Sequence, residues 1–225
     1  MTCLFAEGYN LRASYLSRAL KRILKPKMNV AVIAFSFRES TVRSAEDFEN
    51  FYGKESKNYK GITSGLSAYG ILPADISFLN YFTDTKMTAA EKIRNADVLY
   101  FPGGVPDQMM KRIREFELEA LICAHQGVFI GYSAGALIQL SEFHLSPDHD
   151  YPEFQYGKGL GILDGFYLEP HYVGSPEQTE AIRRVKAERG MPVYVLPLMK
   201  GALLVENGTV SLLGKAEEYQ NFIKS

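Results

Sequence analysis

The sequence predicts an α/β fold: one domain spanning residues 1–225, with a parallel sheet sandwiched between helices on both faces and a C-terminal β-hairpin. Three observations carry this. Short apolar runs rich in β-branched and aromatic residues alternate with helical stretches along most of the chain, the order that builds a covered parallel sheet. The length suits one α/β domain, and the 46% apolar content is enough for a sizeable core. Near the end, two apolar runs are joined by Asn207-Gly208, a two-residue hairpin signal of the I′ type.

In chain order, the expected strands are Cys3–Ala6, Asn29–Phe35, Asp75–Phe82, Asp97–Phe101, Val128–Tyr132, Val193–Leu196, Ala202–Glu206 and Thr209–Leu213, with Gly165–Leu168 also strand-like. Leu11 to Leu24 is apolar at helical spacing and stops before Pro26. Thr88-Ala89-Ala90-Glu91 and Ser175-Pro176-Glu177-Gln178 read as capping boxes, the second with proline at the first helical position. Pro106 opens a long predicted helix running to about His125 and closed by Gly127. The helix begun at Ser175 is expected to end near Gly190.

The bulk composition narrows the function. Basic and acidic residues number 25 and 26, so nothing suggests the basic excess of a nucleic-acid binder. No stretch approaches the apolar length of a membrane span, and the N-terminal residues do not read as a signal peptide. Two cysteines, Cys3 and Cys123, make no disulfide framework; a cytoplasmic protein with both as inert packing residues is expected.

The chemistry concentrates at Gly131-Tyr132-Ser133-Ala134-Gly135-Ala136. G-x-S-x-G follows an apolar strand and opens the apolar stretch Leu137–Leu140, the context in which it forms a sharp turn that exposes a nucleophile above the sheet. Ser133 is therefore the candidate nucleophile. The Ala134 amide is placed to face a developing oxyanion. Phe101-Pro102-Gly103-Gly104-Val105 ends another strand, and its glycines offer a second oxyanion donor.

A serine nucleophile needs a general base. Of the four histidines, His125 near a helix C-terminus reads as structural, and His144 and His149 fall in a polar loop. His171 follows a strand within Glu169-Pro170-His171-Tyr172, where proline stiffens the approach. His171 is the favoured base and His149 the main rival. A carboxylate should hold the imidazole. Asp148 and Asp150 lie in the loop after the nucleophile, and Glu169 stands two residues before His171, on the same side of an extended segment.

Together, Ala96–Gly104, Gly131–Ala136 and Glu169-Pro170-His171-Tyr172 resemble the dipeptidase E and cyanophycinase family of serine peptidases, whose fold is similar to that of class I glutamine amidotransferases. The resemblance covers most of the chain and implies Ser133 as nucleophile, His171 as catalytic histidine, Gly104 paired with Ala134 as the oxyanion donors, and Asp148 as the acid, with Glu169 its rival. It implies a small peptide substrate and no cofactor or metal. Oligomeric state stays open. Two departures stand out. The family's G-G-G-N-T loop is Pro102-Gly103-Gly104-Val105-Pro106 here. The arginine that follows the histidine in aspartate-specific members is absent from Val173–Gln178, with Arg183 and Arg184 the next in sequence. The peptidase chemistry thus transfers better than a preference for N-terminal aspartate.

Two other readings compete. One is a catalytically silent member that binds a small ligand or a partner through the same cleft. The other is an α/β-hydrolase esterase, whose histidine falls much nearer the chain end. A glutamine amidotransferase needs cysteine where Ser133 stands.

Overall fold

The computed structural model describes residues 2–6 and 11–220, with only the backbone described for 2–6. The strands are β1 (Thr2–Ala6), β2 (Val30–Val32), β3 (Ile76–Phe78), β4 (Val98–Phe101), β5 (Val128–Tyr132), β6 (Glu142–Leu145), β7 (Gln155–Lys158), β8 (Tyr167–Tyr172), β9 (Val193–Pro197), β10 (Gly201–Glu206), β11 (Thr209–Gly214) and β12 (Glu217–Glu218). The helices are α1 (Ser14–Ile23), α2 (Ala45–Tyr52), α3 (Lys57–Ser67), α4 (Lys86–Arg94), α5 (Pro106–Glu115), α6 (Glu119–Cys123), α7 (Ala134–Leu137) and α8 (Pro176–Arg189).

The central sheet has seven strands in the order β11-β10-β1-β5-β4-β2-β3. The five from β1 to β3 in this order run parallel, and β10 and β11 add an antiparallel edge. This is the α/β architecture expected from the sequence. The hairpin turn forms as read: Asn207 and Gly208 both take positive φ, 48° and 78°, as a I′ turn requires.

Both faces of the sheet are covered, and the alternation of β4 shows how. Leu99 and Phe101 join the core beneath α5 and α6, with Met109, Met110, Ile113 and Ile122. Val98 and Tyr100 point the other way, to Leu16 and Leu20 of α1 and to Ile62 and Leu66 of α3. A smaller core, Tyr167, Ile182, Val185, Val193 and Val195, fixes α8 against β8 and β9. These two strands form a separate sheet with β12, and β6 pairs with β7 in a third.

Several local expectations change. The helix after β3 is capped by Thr85 rather than Thr88. The Thr85 hydroxyl accepts from the Thr88 amide, and the Thr88 hydroxyl in turn accepts from the Thr85 amide. The long helix expected from Pro106 to His125 breaks into α5 and α6, because Glu117 takes φ 56° between them. Ser175 caps α8 as read, but Gln178 does not reach back to the cap residue; its side chain serves the site described below. Helices α2 and α3 and strands β6 and β7 were not foreseen. Cys123 is exposed rather than packed, although its thiol donates to the Leu160 carbonyl at 3.2 Å, and partial burial raises its pKa. The side chain of Cys3 lies outside the described residues.

Candidate active site

Sheet order brings the informative segments together. β5 lies between β1 and β4, so Gly131 pairs with Phe101 and the carboxyl end of β5 stands beside the Pro102–Val105 loop. Ser133 sits between β5 and α7 at φ 50° and ψ −113°, outside the regions an L-residue favours. Such a conformation costs about 1–3 kcal/mol and persists only where surrounding packing enforces it. The packing here is close. A Cβ on Gly135 would overlap the Phe101 carbonyl oxygen, so only glycine lets the short α7 turn sit against β4.

His171 arrives from β8 by a bulge. Pro170 pairs with Leu196 and Tyr172 with Pro197, leaving His171 as the extra residue, at φ 55°. A bulge re-aims its side chain. The ring turns to the nucleophile turn, with Nε2 2.6 Å from Ser133 Oγ. With Nε2 unprotonated, the hydroxyl donates and the ring accepts. The ring also meets Tyr132 edge-on at 6.2 Å. Gln178, in the first turn of α8, clamps the backbone on either side of the bulge. Its Nε2 donates to the His171 carbonyl at 3.2 Å, and its Oε1 accepts from the Val173 amide at 2.9 Å.

Neither proposed acid is bonded to His171, and both expectations are corrected. Asp148 is exposed, and its Oδ1 accepts from the amides of Asp150 and Tyr151, both at 2.8 Å. This is the side-chain-capped turn that aspartate commonly forms in loops, and it holds the carboxylate to its own segment. Glu169 faces a different histidine. Its Oε2 accepts from His144 Nε2 and Ser146 Oγ, both at 2.7 Å. The argument that residues two apart share a face fails here because the bulge at His171 changes the alternation.

The other histidines are also placed. His144 is buried on β6, not in a loop as read, and His149 is exposed in the loop between β6 and β7. The rings of His125 and Phe129 meet edge to face, with centroids 5.3 Å apart. Burial lowers the pKa of His125, so desolvation outweighs the helix C-terminus expected to favour its cation.

Gly104 and Ala134 both line the cavity above Ser133 and His171, which has a volume of about 290 Å³. Gly104 takes φ 142°, and a Cβ there would strike the Ser36 carbonyl oxygen. That oxygen accepts from the Val105 amide at 2.7 Å, and Ser36 Oγ donates to the Gly103 carbonyl at 2.7 Å, so the segment after β2 fixes the glycine loop. Buried Arg112 holds that segment in turn. Its Nη1 donates to the carbonyls of Phe35 and Phe37, both at 2.7 Å, and its guanidinium lies 3.7 Å from the Phe37 ring centroid. Sequence reading missed Arg112, because an arginine on a charged helix carries no mark of burial.

At the rim, Arg38 pairs with Asp150 through two nitrogens, and Tyr151 donates to Asp107 at 2.6 Å, tying the 146–151 loop to two other elements. Arg183 and Arg184 do not line the cavity. The first lies 4.0 Å from Glu180; the second donates to Glu188 and stacks on Phe154. Among the described residues, no group of three or more His, Cys, Asp or Glu could hold a metal, and no helix is long and apolar enough to cross a membrane.

Comparison with solved structures finds fifteen chains that match, among them the following two. One is a protein from Listeria monocytogenes EGD-e, provisionally described as a peptidase E, at a TM-score of 0.65 and 17% identity, covering 97% of this chain and 98% of that one. The other is a peptidase from an acI-B1 Actinobacterium, at a TM-score of 0.61 and 14% identity, covering 97% and 93%. At these identities the likeness shows the fold alone. Comparison with curated proteins gives no match. The sequence profile of peptidase family S51 matches residues 54–213, most of the chain and all three segments that carry the dipeptidase E resemblance. The chain belongs to peptidase family S51, the dipeptidase E family of serine peptidases.

Proposed function

We propose that this peptidase hydrolyses small peptides through an acyl-enzyme, with Ser133 as nucleophile and His171 as general base. The observation that carries the reading is the 2.6 Å contact between His171 Nε2 and Ser133 Oγ, made by two residues that both hold strained backbone angles. Strain kept at two facing positions is the mark of a site whose geometry outweighs its cost in stability.

The chemistry follows from the contact. His171 Nε2 takes the hydroxyl proton as Oγ attacks the peptide carbonyl. The oxyanion that forms is held by the amides of Gly104 and Ala134. His171 then passes the proton to the leaving amine. In the second half, it takes a proton from water, which attacks the ester, and returns that proton to Ser133 as the product acid leaves. The bulge at His171 and the two hydrogen bonds of Gln178 help to fix the backbone that carries the base, and neither Asp148 nor Glu169 is hydrogen-bonded to its ring. The cavity is near the lower end of the roughly 300–1,000 Å³ usual for small-ligand sites, which suits a short peptide.

A dipeptide library incubated with purified wild type and Ser133→Ala tests this. Some dipeptides should be cut by wild type, with a loss of roughly 10⁴-fold or more in the variant. Equal turnover by both proteins would refute the reading.

A further inference from the structure

The turn that carries Ser133 is held from beneath by a side chain that takes no part in the proposed reaction. Gln139 lies just after α7 and is fully buried. Helix α7 is too short to satisfy its own backbone. The Ser133 carbonyl accepts from the amides of Ala136 and Leu137, at 2.9 and 3.0 Å. The carbonyls of Ala134, Ala136 and Leu137 accept from the amides of Ile138, Gln139 and Leu140. The Gly135 carbonyl receives no backbone amide from the described residues. Gln139 Nε2 donates to it instead, at 3.0 Å. A Cβ on Gly131 would meet both Gln139 Nε2 and the Gly135 carbonyl oxygen, so the first glycine of G-x-S-x-G leaves room for this bond.

The bond is kept at a cost. Gln139 Oε1 is fully buried and has no donor among the described residues. A buried amide satisfied on one side only is unfavourable, and an apolar side chain would fill the place without that penalty. What the amide adds over an apolar side chain is the donor to Gly135. The consequence of that donor reaches the reacting atoms. A peptide unit is planar, so holding its oxygen also holds its N–H. The Gly135 carbonyl shares a plane with the Ala136 amide, which donates to the Ser133 carbonyl. The Ser133 carbonyl shares the next plane with the Ala134 amide, the proposed oxyanion donor. Two rigid units thus connect the Gln139 side chain to the oxyanion site and to the ψ of −113° at Ser133.

We infer that Gln139 is a positioning residue for the nucleophile turn: by fixing the Gly135 carbonyl, its Nε2 sets the direction of the Ala134 amide and holds Ser133 at its strained backbone angles. This rests on Ser133 being the nucleophile. Gln139 is not among the residues that line the cavity, so it acts through the backbone alone and bears on the transition state rather than on substrate binding.

An uncharged alkyl fluorophosphonate reads the state of the turn. Ser133 Oγ forms a bond to phosphorus, the phosphorus–fluorine bond breaks, fluoride leaves and His171 takes the hydroxyl proton. Gln139→Met keeps the length of the side chain without a donor. Scaled to the fraction that is native by circular dichroism, its labelling rate should fall about tenfold or more below wild type. Gln139→Glu can donate only while its carboxyl is protonated, and burial favours that form. Its rate is read as a ratio to wild type, which cancels the titration of His171. The ratio should lie within about threefold of one at about pH 5 and fall about tenfold as the pH rises through the carboxyl pKa. A merely structural role would lower the Tm of Gln139→Met while the folded variant still labelled at the wild-type rate, which would overturn the inference. So would a Gln139→Glu ratio as low as that of Gln139→Met at every pH. Should Gln139→Met fail to fold, the Gln139→Glu profile decides alone, and a ratio that does not fall with pH overturns the inference. If the probe leaves wild type unlabelled, the nucleophile assignment falls first, and the inference falls with it.

Discussion

At the residue scale, the site depends on how one histidine is held. His171 is an extra residue in a bulge, with positive φ, and that backbone has to be held by its surroundings. Gln178 holds it from outside, through its hydrogen bonds to the His171 carbonyl and the Val173 amide. Gln178→Ala should therefore lower kcat about tenfold to a hundredfold with little change in KM, because a misplaced base harms the transition state more than ground-state binding. Steady-state kinetics on a cleaved dipeptide measure the split. A rise in KM at constant kcat would instead mean that Gln178 contacts substrate. This residue was visible in the sequence only as part of a capping box. The Ser175 half of that reading stands, but the second half gave way to a tertiary demand that spacing does not reveal. The acid was misread for a similar reason. Alternation along an extended segment placed Glu169 beside His171, and a bulge, which leaves no signature in Glu-Pro-His-Tyr, removed that relation.

At the scale of elements, the loops matter more than the sheet they end. The Pro102–Val105 loop is pinned by Ser36, and Ser36 belongs to a segment whose carbonyls at Phe35 and Phe37 are held by Arg112. Arg112→Met keeps most of the apolar bulk but leaves two buried carbonyls short of a donor. The cost should be at least about 2 kcal/mol. For a chain of this size, that lowers Tm by about 4–8 °C, and thermal unfolding followed by circular dichroism reads it. A variant as stable as wild type would show that water or a neighbour replaces the guanidinium at no cost. Sequence patterning located these elements unevenly. Strands β4 and β5 and the last hairpin were legible because their apolar runs are bounded by Gly, Pro or Asn-Gly. Strands β6 and β7 were not, since Glu142–Leu145 and Gln155–Lys158 mix polar and apolar residues and owe their pairing to each other. The break between α5 and α6 hides in the same way, because Glu117 adopts positive φ without being glycine or asparagine.

At the scale of the whole molecule, specificity follows from which charges reach the cavity. The arginines after His171 are engaged on the surface of α8, and Arg38 is the arginine among the cavity-lining residues, already paired with Asp150. A substrate aspartate would have to displace Asp150 to gain a bidentate partner, and exchanging one carboxylate for another yields little net free energy. Matched Asp-X, Ala-X and Leu-X dipeptides should show kcat/KM values within about a hundredfold of one another, or about 2.7 kcal/mol. A larger preference for Asp-X would mean that Arg38 leaves Asp150 and serves as a carboxylate clamp.

The α/β class and the order of the informative segments were readable because a parallel sheet demands buried strands and sharp turns at their carboxyl ends. The composition of the cavity was not, because it collects residues from β5, β8, the loop after β4 and the loop after β6, which only the three-dimensional chain path brings together. The account stands on Ser133 being the group that attacks. Labelling the purified protein with an uncharged alkyl fluorophosphonate, followed by mass analysis of its peptides, tests this most directly. One adduct per chain is predicted, on the peptide that contains Ser133, and none on Ser133→Ala. An unlabelled wild type, or an adduct that persists in Ser133→Ala, would contradict it.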